Sequence, residues 1–245
     1  MSSEAVVGIL NLSKSYRRGP ETVHALRGVS FDLFRGEVVA LVGPSGSGKT
    51  TLLNILCGWD HPDEGNIHRA TGSSDEFDWT LVSIVPQRFG LIDELTISEN
   101  VALPLKLSGT AESEAEQRVE ELLDSLGLNH ISGHLPGEAS LGEQQRTAMA
   151  RGLVSNPGLL LADEPTGHQD ADSERAVFGA IRALASGGGT CLVATHNSDA
   201  TRFCHRIMRV DDGRVVVEAR AADGDLDREL SPFAPQGRER GEEPS

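Results

Sequence analysis

The chain has 245 residues, of which 38% are hydrophobic, so it can bury the core of one large domain, and collagenous, low-complexity and wholly disordered proteins are excluded. Its 22 basic and 37 acidic residues give a formal net charge of −15 with no local basic patch, which argues against nucleic acid and anionic lipid as partners. Aromatic residues make up only 4%, too few to predict a stacking platform for single-stranded nucleic acid.

The cysteine content and the apolar runs predict a cytoplasmic chain without a membrane span. Cys57, Cys191 and Cys204 are too few and too scattered for a disulfide framework, so we expect free thiols in a reducing compartment. No signal peptide is visible, and runs such as Val38–Val42 are far shorter than the roughly 18–20 residues that a membrane helix requires. If the protein acts at a membrane, we expect a separate chain to hold it there.

The first sixty residues predict two strands followed by a strand–loop–helix unit. Val6–Leu12 and Phe31–Phe34 have strand character, with a polar loop at Arg17–Glu21 between them. Val38–Val42 is a continuous apolar run that stops at a glycine-rich turn, and Thr51–Cys57 has the character of a helix.

A segment of different character, residues 88–135, predicts a helical insertion. Apolar residues recur there at helical spacing, with Thr110 as the predicted N-cap and Gly127 as the stop. These apolar positions are Val119, Leu122, Leu123 and Leu126. We expect residues 1–220 to form a single domain that contains this insertion, and residues 221–245 to form a mobile tail poor in apolar residues.

Two further apolar runs predict central strands of a parallel sheet that is buried on both faces. Leu159–Ala162 and Cys191–Ala194 are short, fully apolar and followed by polar residues. Downstream, Ile207–Val210 and Val215–Val217 flank the sequence Asp-Asp-Gly-Arg, which is typical of a β-hairpin.

A phosphate-binding motif lies between the strand Val38–Val42 and the following helix. Its glycines allow backbone N–H groups to turn towards phosphate oxygens, and the start of the helix adds a favourable dipole. We expect Lys49 to reach the β- and γ-phosphates and Thr50 to ligate Mg²⁺. A glycine turn that merely links strand to helix needs neither residue. The motif consists of Gly43, Pro44, Ser45, Gly46, Ser47, Gly48, Lys49 and Thr50, and Thr51 completes the predicted contacts at this end of the nucleotide.

Two adjacent carboxylates follow the buried strand Leu159–Ala162. A lone acid at this place is usually a helix cap, but two side by side are costly unless a cation and a proton-transfer role occupy them. We expect Asp163 to hold the Mg²⁺ ion and Glu164 to polarise the attacking water.

Together with the run Glu143–Arg146, these motifs resemble the ATP-binding cassette of ABC transporters from about Val6 to Val217. The strings Glu99–Leu105 and Ala162–Gly167 are similar to the LolD/MacB/FtsE group, whose ATPase subunits serve permeases that do not thread a substrate through the membrane. The resemblance implies an α/β fold with a P-loop NTPase-like core, a mostly parallel central sheet, an N-terminal antiparallel β-subdomain and a helical insertion.

The same resemblance implies ATP and Mg²⁺ as cofactors and an ATP-hydrolysing enzyme coupled to export or mechanical work. The implied partners are a second copy of the chain, in a dimer that sandwiches ATP, and a separate integral-membrane permease. The implied location is the cytoplasmic face of the cell membrane.

Three further residues match family positions that contact the nucleotide. Tyr16 matches the aromatic residue that stacks on adenine, with a half-buried aromatic at a loop edge as the alternative. Gln87, after the strand Val82–Val85, matches the glutamine that senses Mg²⁺ and the attacking water, and a surface glutamine is the alternative. His196 follows a core strand and matches the histidine that contacts the γ-phosphate, although a lone histidine is usually structural.

The segment Ala139–Glu143 matches the family signature with one departure. In the family, Ser140 and the N–H groups near Gly142 contact the γ-phosphate held by the other subunit. Leu141 stands where the first signature glycine is usual, so its side chain is a candidate obstruction to that contact. The same residues also form an S-x-x-E capping box, which would simply start a helix. Asp170 matches the acidic residue that communicates between the two sites.

Three classes of function remain open from the sequence. The leading hypothesis is the transporter ATPase, for which the apolar residues Phe89, Leu91, Ile92 and Leu95 form either a permease contact or part of the core. The second is a cassette ATPase without transport, which usually has tandem cassettes, coiled-coil insertions or basic surfaces. The third is a nucleotide-dependent switch with very slow hydrolysis, motivated by Leu141.

Overall fold

The computed structural model describes residues 5–69, 81–167, 169–197 and 199–220, so the predicted tail at residues 221–245 lies outside the described residues. Within these ranges the strands are β1 Ala5–Arg18, β2 Glu21–Phe34, β3 Val38–Val42, β4 Glu64–Arg69, β5 Val82–Val85, β6 Leu159–Asp163, β7 Thr190–Thr195, β8 Arg206–Asp211 and β9 Arg214–Arg220. The α-helices are α1 Lys49–Leu56, α2 Ile97–Leu107, α3 Glu112–Ser125, α4 Leu141–Leu153 and α5 Ala171–Ser186. Short 3₁₀ turns lie at Asn129–Ile131, Pro136–Glu138 and Asp199–Phe203.

The central sheet has the strand order β5-β6-β7-β3-β8-β9. Its first five strands are parallel, and β9 closes one edge as the antiparallel partner of β8, with Asp212 and Gly213 both at positive φ in the predicted hairpin turn. Every residue of β6 and β7 is buried, as expected for strands covered on both faces. The carboxyl ends of β3, β6 and β7 therefore meet at one edge of the sheet, and the phosphate-binding loop follows β3.

A smaller antiparallel sheet packs beside the first, with the order β2-β1-β4. The loop predicted at Arg17–Glu21 is wrong, because both strands continue through it and only Gly19 and Pro20 form the turn. Tyr16 pairs with Val23 and Arg18 with Glu21 in a projecting hairpin arm. Most residues of this arm are exposed, so the apolar alternation that would have revealed the strands is missing from its sequence. The predicted α/β fold with an antiparallel β-subdomain is confirmed.

Residues 88–135 contain the predicted helices. Thr96 caps α2 through a capping box with Glu99. The N-cap predicted at Thr110 is wrong: α3 starts after Ala111, and the Thr110 hydroxyl contacts the Ser108 hydroxyl at 3.0 Å instead. Gly127, at φ +67°, follows the end of α3 as predicted. The division of the chain into a cassette, an insertion and a tail remains a prediction.

The three cysteines are buried free thiols, as predicted. Among the described residues, no helix combines the length and the hydrophobicity needed to cross a bilayer. The longest of them is α5, with 16 residues.

The loop between β5 and α2 is held by a fully buried asparagine. Asn100 donates hydrogen bonds to the carbonyl groups of Ile92, Leu95 and Thr96 at 2.9–3.0 Å and accepts one from the Ile92 N–H at 2.8 Å. Arg151 of α4 adds bonds to the carbonyl groups of Phe89 and Gly90, both at 2.7 Å. Side chains from two helices thus fix a loop that has no secondary structure of its own.

We predict that Asn100→Ala lowers the free energy of unfolding by about 2–4 kcal/mol, because it leaves buried backbone groups without partners. Urea unfolding measures this change. Asn129→Ala is the matched control, since Asn129 is exposed and its side chain bonds to the exposed Asp124, and its change should stay within about 0.5 kcal/mol. Equal stability of Asn100→Ala and the unsubstituted protein would contradict this account.

Candidate nucleotide-binding site

The phosphate-binding loop runs from the end of β3 into the first turn of α1. Gly46 and Gly48 have φ values of +81° and +107°, which favour glycine. A Cβ atom at Gly48 would lie 2.3 Å from the Ala25 carbonyl oxygen, so β2 leaves no room for a side chain there. No side chain caps α1 and its first turn has no acidic residue, so the N–H groups of this turn remain available to an anion.

Lys49 is the first residue of α1, and its side chain folds back over the loop. Its ammonium group donates hydrogen bonds to the carbonyl oxygens of Gly43 at 2.7 Å and Pro44 at 3.1 Å. The residue is only 7% exposed. Because an ammonium group has three donors, one remains for a phosphate oxygen.

A hydrogen bond between Thr50 and Asp163 connects the first turn of α1 to the end of β6. The Thr50 hydroxyl donates a hydrogen bond of 2.7 Å to Asp163 Oδ2. Burial raises the pKa of Asp163, and the neighbouring Glu164 carboxylate raises it further, while the Thr50 hydroxyl and the charge of Lys49 lower it in part. A buried carboxylate with incompletely balanced charge, next to a hydroxyl oxygen, fits the oxygen ligands that Mg²⁺ prefers.

Glu164 lies in a strained turn just after β6. Its φ of +53° is in the left-handed region, which costs a non-glycine residue about 1–3 kcal/mol. Three bonds hold this backbone: the Glu164 N–H donates to the Ala194 carbonyl at 2.8 Å, and the Glu164 carbonyl accepts from Gln145 of α4 at 2.6 Å and from the Gly167 N–H at 3.4 Å. The strain is maintained by neighbouring elements and aims the carboxylate at the edge of the sheet.

The Glu164 carboxylate is held by two residues at the end of β7. His196 Nδ1 lies 2.8 Å from Glu164 Oε1, and the Thr195 hydroxyl donates to Oε2 at 3.3 Å. The ring contacts the carboxylate through Nδ1, so its second nitrogen atom, Nε2, is the one that can face a ligand. His196 is exposed, whereas Thr195 is buried.

These groups line one cleft with a volume of about 680 Å³, which is within the usual range of small-molecule sites. The predicted site residues that line it are Tyr16, Pro44, Ser45, Gly46, Gly48, Lys49, Thr50, Thr51, Gln87, Asp163, Glu164 and His196. Gly43 instead packs against the Val210 carbonyl, and the buried Ser47 hydroxyl has no hydrogen-bond partner among the described residues. The cleft thus brings together the ammonium group of Lys49 and the N–H donors of the phosphate-binding loop. Tyr16, Val23 and Ala25 form another part of its wall.

Comparison with known proteins decides the family. The model of the ABC transporter family matches residues 26–167. The chain belongs to this family. The lipoprotein-releasing system ATP-binding protein LolD of Pseudomonas syringae pv. tomato is 42% identical over 225 residues, which cover 88% of this chain and 99% of the relative. The uncharacterized ABC transporter ATP-binding protein YvcR of Bacillus subtilis is 41% identical, over 87% of this chain and 86% of the relative.

A solved structure agrees with these relatives. The ATP-binding cassette MJ0796, in a dimeric post-hydrolysis state bound to ADP and Pi, superposes with a TM-score of 0.80 at 35% identity, over 87% of this chain and 98% of that chain. The predicted likeness to LolD-type ABC cassettes is therefore confirmed, and the chain is an ATP-binding subunit and ATPase of this family.

Three predicted nucleotide contacts of the cassette do not line the cleft of their own chain. Ser140 caps α4 in the predicted capping box: its hydroxyl oxygen accepts from the Glu143 N–H at 3.3 Å, and its own N–H donates to Glu143 Oε2 at 2.8 Å. Gly142 lies in the first turn of the same helix. Asp170 caps α5 by accepting from the N–H groups of Asp172 and Ser173.

Sequence reasoning missed four residues of the cassette's site. Gln145 and Thr195 hold Glu164, and their roles depend on contacts between distant segments that no local pattern indicates. Val23 and Ala25 line the cleft from β2, opposite the phosphate-binding loop. They belong to the part of β2 between the predicted loop Arg17–Glu21 and the predicted strand Phe31–Phe34, for which the sequence made no prediction.

We predict that Lys49→Ala abolishes ATP hydrolysis and weakens ADP binding roughly 10- to 150-fold, which corresponds to losing one charge-assisted hydrogen bond of about 1.5–3 kcal/mol. Isothermal titration with ADP and a phosphate-release assay measure the two effects. Lys106→Ala removes an exposed lysine of α2 and should leave both unchanged. ATPase activity that survives in Lys49→Ala would rule out the role assigned to the loop.

Proposed function

We propose that this cassette dimerises around two Mg²⁺·ATP molecules and hydrolyses them to drive a separate membrane permease. The observation that carries the proposal is the arrangement at one sheet edge, where the Thr50–Asp163 pair lies beside the Glu164–His196 pair in the cleft of the phosphate-binding loop. This arrangement provides separate groups for the phosphates, the cation and the attacking water.

The residues of the phosphate end bind and orient the nucleotide. The free N–H groups of the first turn of α1 and the remaining donor of Lys49 would bind the β- and γ-phosphates. Thr50, Asp163 and Gln87 would hold Mg²⁺, which when bound neutralises charge on the phosphate oxygens. At the other end of the cleft, the ring of Tyr16 would stack on adenine.

Glu164 and His196 would carry out the hydrolytic step. Glu164 takes a proton from water while the water oxygen bonds to the γ-phosphorus and the bond from that phosphorus to the bridging oxygen breaks, leaving ADP and inorganic phosphate. His196 keeps the carboxylate oriented through Nδ1, and its ring faces the γ-phosphate.

A second copy of the chain would complete each site. Ser140, Gly142 and Asp170 are absent from the lining of their own cleft, which supports their contribution to the cleft of a partner copy. The dimeric state of MJ0796 supports the same assembly. Leu141, the departure from the family signature, is 50% exposed at the start of α4, where its side chain would face that partner.

The permease would contact the loop before α2, at the cytoplasmic face of the membrane. The four apolar residues proposed for this contact differ in burial. Phe89 and Leu91 pack against the core. Ile92 is 38% exposed, and Leu95 is half-buried. We therefore expect Ile92 to provide the contact, while the bonds from Asn100 and Arg151 keep its loop rigid enough to transmit force.

We predict that Glu164→Gln retains Mg²⁺·ATP but loses hydrolysis, so that an ATP-bound dimer accumulates. The amide keeps the size of the side chain but is a poor proton acceptor. Sedimentation velocity with saturating Mg²⁺·ATP measures the assembly. Glu120→Gln makes the same chemical change on the exposed face of α3 and should turn over ATP normally without a lasting dimer.

A monomer at saturating ATP would contradict dimerisation of the isolated chain, and adding Leu141→Gly then separates two causes. If glycine restores the dimer, Leu141 obstructs the composite site and the slow-switch hypothesis is favoured. If the double variant remains monomeric, the two copies need the permease to hold them together.

A further inference from the structure

Asp60 is the centre of a cluster of hydrogen bonds that includes Tyr16, the aromatic residue in the wall of the cleft. The Asp60 carboxylate accepts bonds from the Tyr16 hydroxyl at 2.6 Å, the Lys14 ammonium group at 2.8 Å and the His61 N–H at 2.7 Å. We propose that Asp60 is a positioning residue for nucleotide binding, which fixes the ring of Tyr16 relative to the phosphate-binding loop. This inference rests on the proposed stacking of Tyr16 on adenine.

Tyr16 needs such support because it lies on the projecting arm of β1 and β2. Val23 pairs with it on one side, but β4 pairs with β1 only as far as Ser13, and Tyr16 is 40% exposed. The segment before β4 covers the other side of β1: the Ser15 N–H donates to Asp63 Oδ2 at 2.7 Å, and the Asp63 N–H donates to the Ser13 carbonyl at 2.8 Å. The two bonds of Asp63 thus anchor the arm at the point where the pairing of β1 with β4 ends.

The backbone of Asp60 is in turn anchored to α1. The N–H groups of Trp59 and Asp60 both donate to the Asn54 carbonyl, at 2.8 and 3.2 Å. Asn54 lies on the helix that begins at Lys49, so one short helix carries the phosphate-binding residues at its start and the support of Tyr16 just after its end. The spacing between the two ends of the nucleotide site is therefore set by α1.

The charge of Asp60 fixes the direction of its hydrogen bond with the Tyr16 hydroxyl. Hydrogen bonds from Lys14 and Tyr16 lower the pKa of Asp60 to about 2, so it is an ionised acceptor at neutral pH. The Tyr16 hydroxyl must then point its hydrogen at Asp60, and a bond to an ionised acceptor is about twice as strong as a neutral one. Burial and the bond to Asp60 raise the pKa of Tyr16, which gives the contact a spectroscopic signature.

Tyr16 is the single tyrosine of the chain, so its ionisation can be followed by ultraviolet absorbance without interference from another phenol. Asp60→Asn should move the midpoint of this titration down by about one pH unit, because an adjacent negative charge is removed. The matched control is Asp63→Asn, which makes the same charge change on the neighbouring anchor and should leave the midpoint nearly in place.

The binding test compares ADP with pyrophosphate, which has no base, by isothermal titration calorimetry. Asp60→Asn and Tyr16→Phe should each weaken ADP binding by up to about 10-fold, since an aromatic contact that depends on the orientation of the ring contributes at most about 1.5 kcal/mol. Binding of pyrophosphate should be unchanged in both. Because Tyr16→Phe keeps the ring and removes only the hydroxyl, it tests the same contact if Asp60→Asn fails to fold.

Three results would overturn the inference, and they are distinguishable. An unchanged titration midpoint in Asp60→Asn would mean that the contact is absent. Equal weakening of ADP and pyrophosphate would mean that Asp60 only stabilises the fold. If both variants bind ADP normally, Tyr16→Ala locates the error: weakened ADP binding rejects the role of Asp60 alone, whereas normal binding also rejects the proposed stacking on adenine.

Discussion

The buried charge of Asp163 is the constraint on which the rest of the site depends. Its carboxylate is 5% exposed, and burial raises its pKa despite the nearby Thr50 hydroxyl and Lys49 ammonium group. The folded state therefore binds a proton at Asp163 more tightly than the unfolded chain does, so this residue begins to cost folding free energy as the pH rises through its unfolded pKa, and the full cost is present above its folded pKa. Such a cost is expected where a cation completes the site.

Because β3, β6 and β7 are parallel, the groups that follow them lie together at one edge of the sheet. Contacts among these groups and their neighbours can offset both the buried charge of Asp163 and the strained backbone of Glu164. The loop after β3 supplies donors, the end of β6 supplies Asp163 and Glu164, and the end of β7 supplies Thr195 and His196. Because β7 pairs with both β3 and β6 in fixed register, Thr195 and His196 can bond to Glu164, and Thr50 of α1 can bond to Asp163. The left-handed backbone of Glu164 persists for this reason, since β7 and α4 both hold it.

Sequence patterns predicted those parts of the cassette that a single short segment specifies by itself. The runs Val38–Val42 and Leu159–Ala162 are apolar over their whole length and were predicted as buried strands, and the glycine motif between strand and helix was sufficient to predict the phosphate end. The hairpin arm around Arg17–Glu21 was missed because its exposed strands have no apolar alternation. Thr110 was predicted as a cap from residue type alone, although the helix begins one residue later.

Contacts between segments that are far apart in the chain could not be predicted from the sequence. Gln145 on Glu164, Asn100 on the loop at Ile92 and Asp60 on Tyr16 are each hydrogen bonds whose partners are fixed only when the sheets and helices pack. The residue types alone do not identify these pairs, since a glutamine, an asparagine or an aspartate has many possible partners. Glu164 and His196 were predicted as site residues, but Gln145 and Thr195, which also hold Glu164, were not.

The central claim is that Asp163 holds a charge that the protein alone does not balance. Thermal unfolding of Asp163→Asn near pH 7.5, with and without Mg²⁺·ADP, tests it most directly, because asparagine keeps the shape and an acceptor for Thr50 while removing the charge. We predict that without ligand the variant melts about 2–4 °C above the unsubstituted protein, which corresponds to roughly 1 kcal/mol in a chain of this size, and that it gains little from Mg²⁺·ADP. A lower melting temperature without ligand, together with a full stabilisation by Mg²⁺·ADP, would contradict the claim.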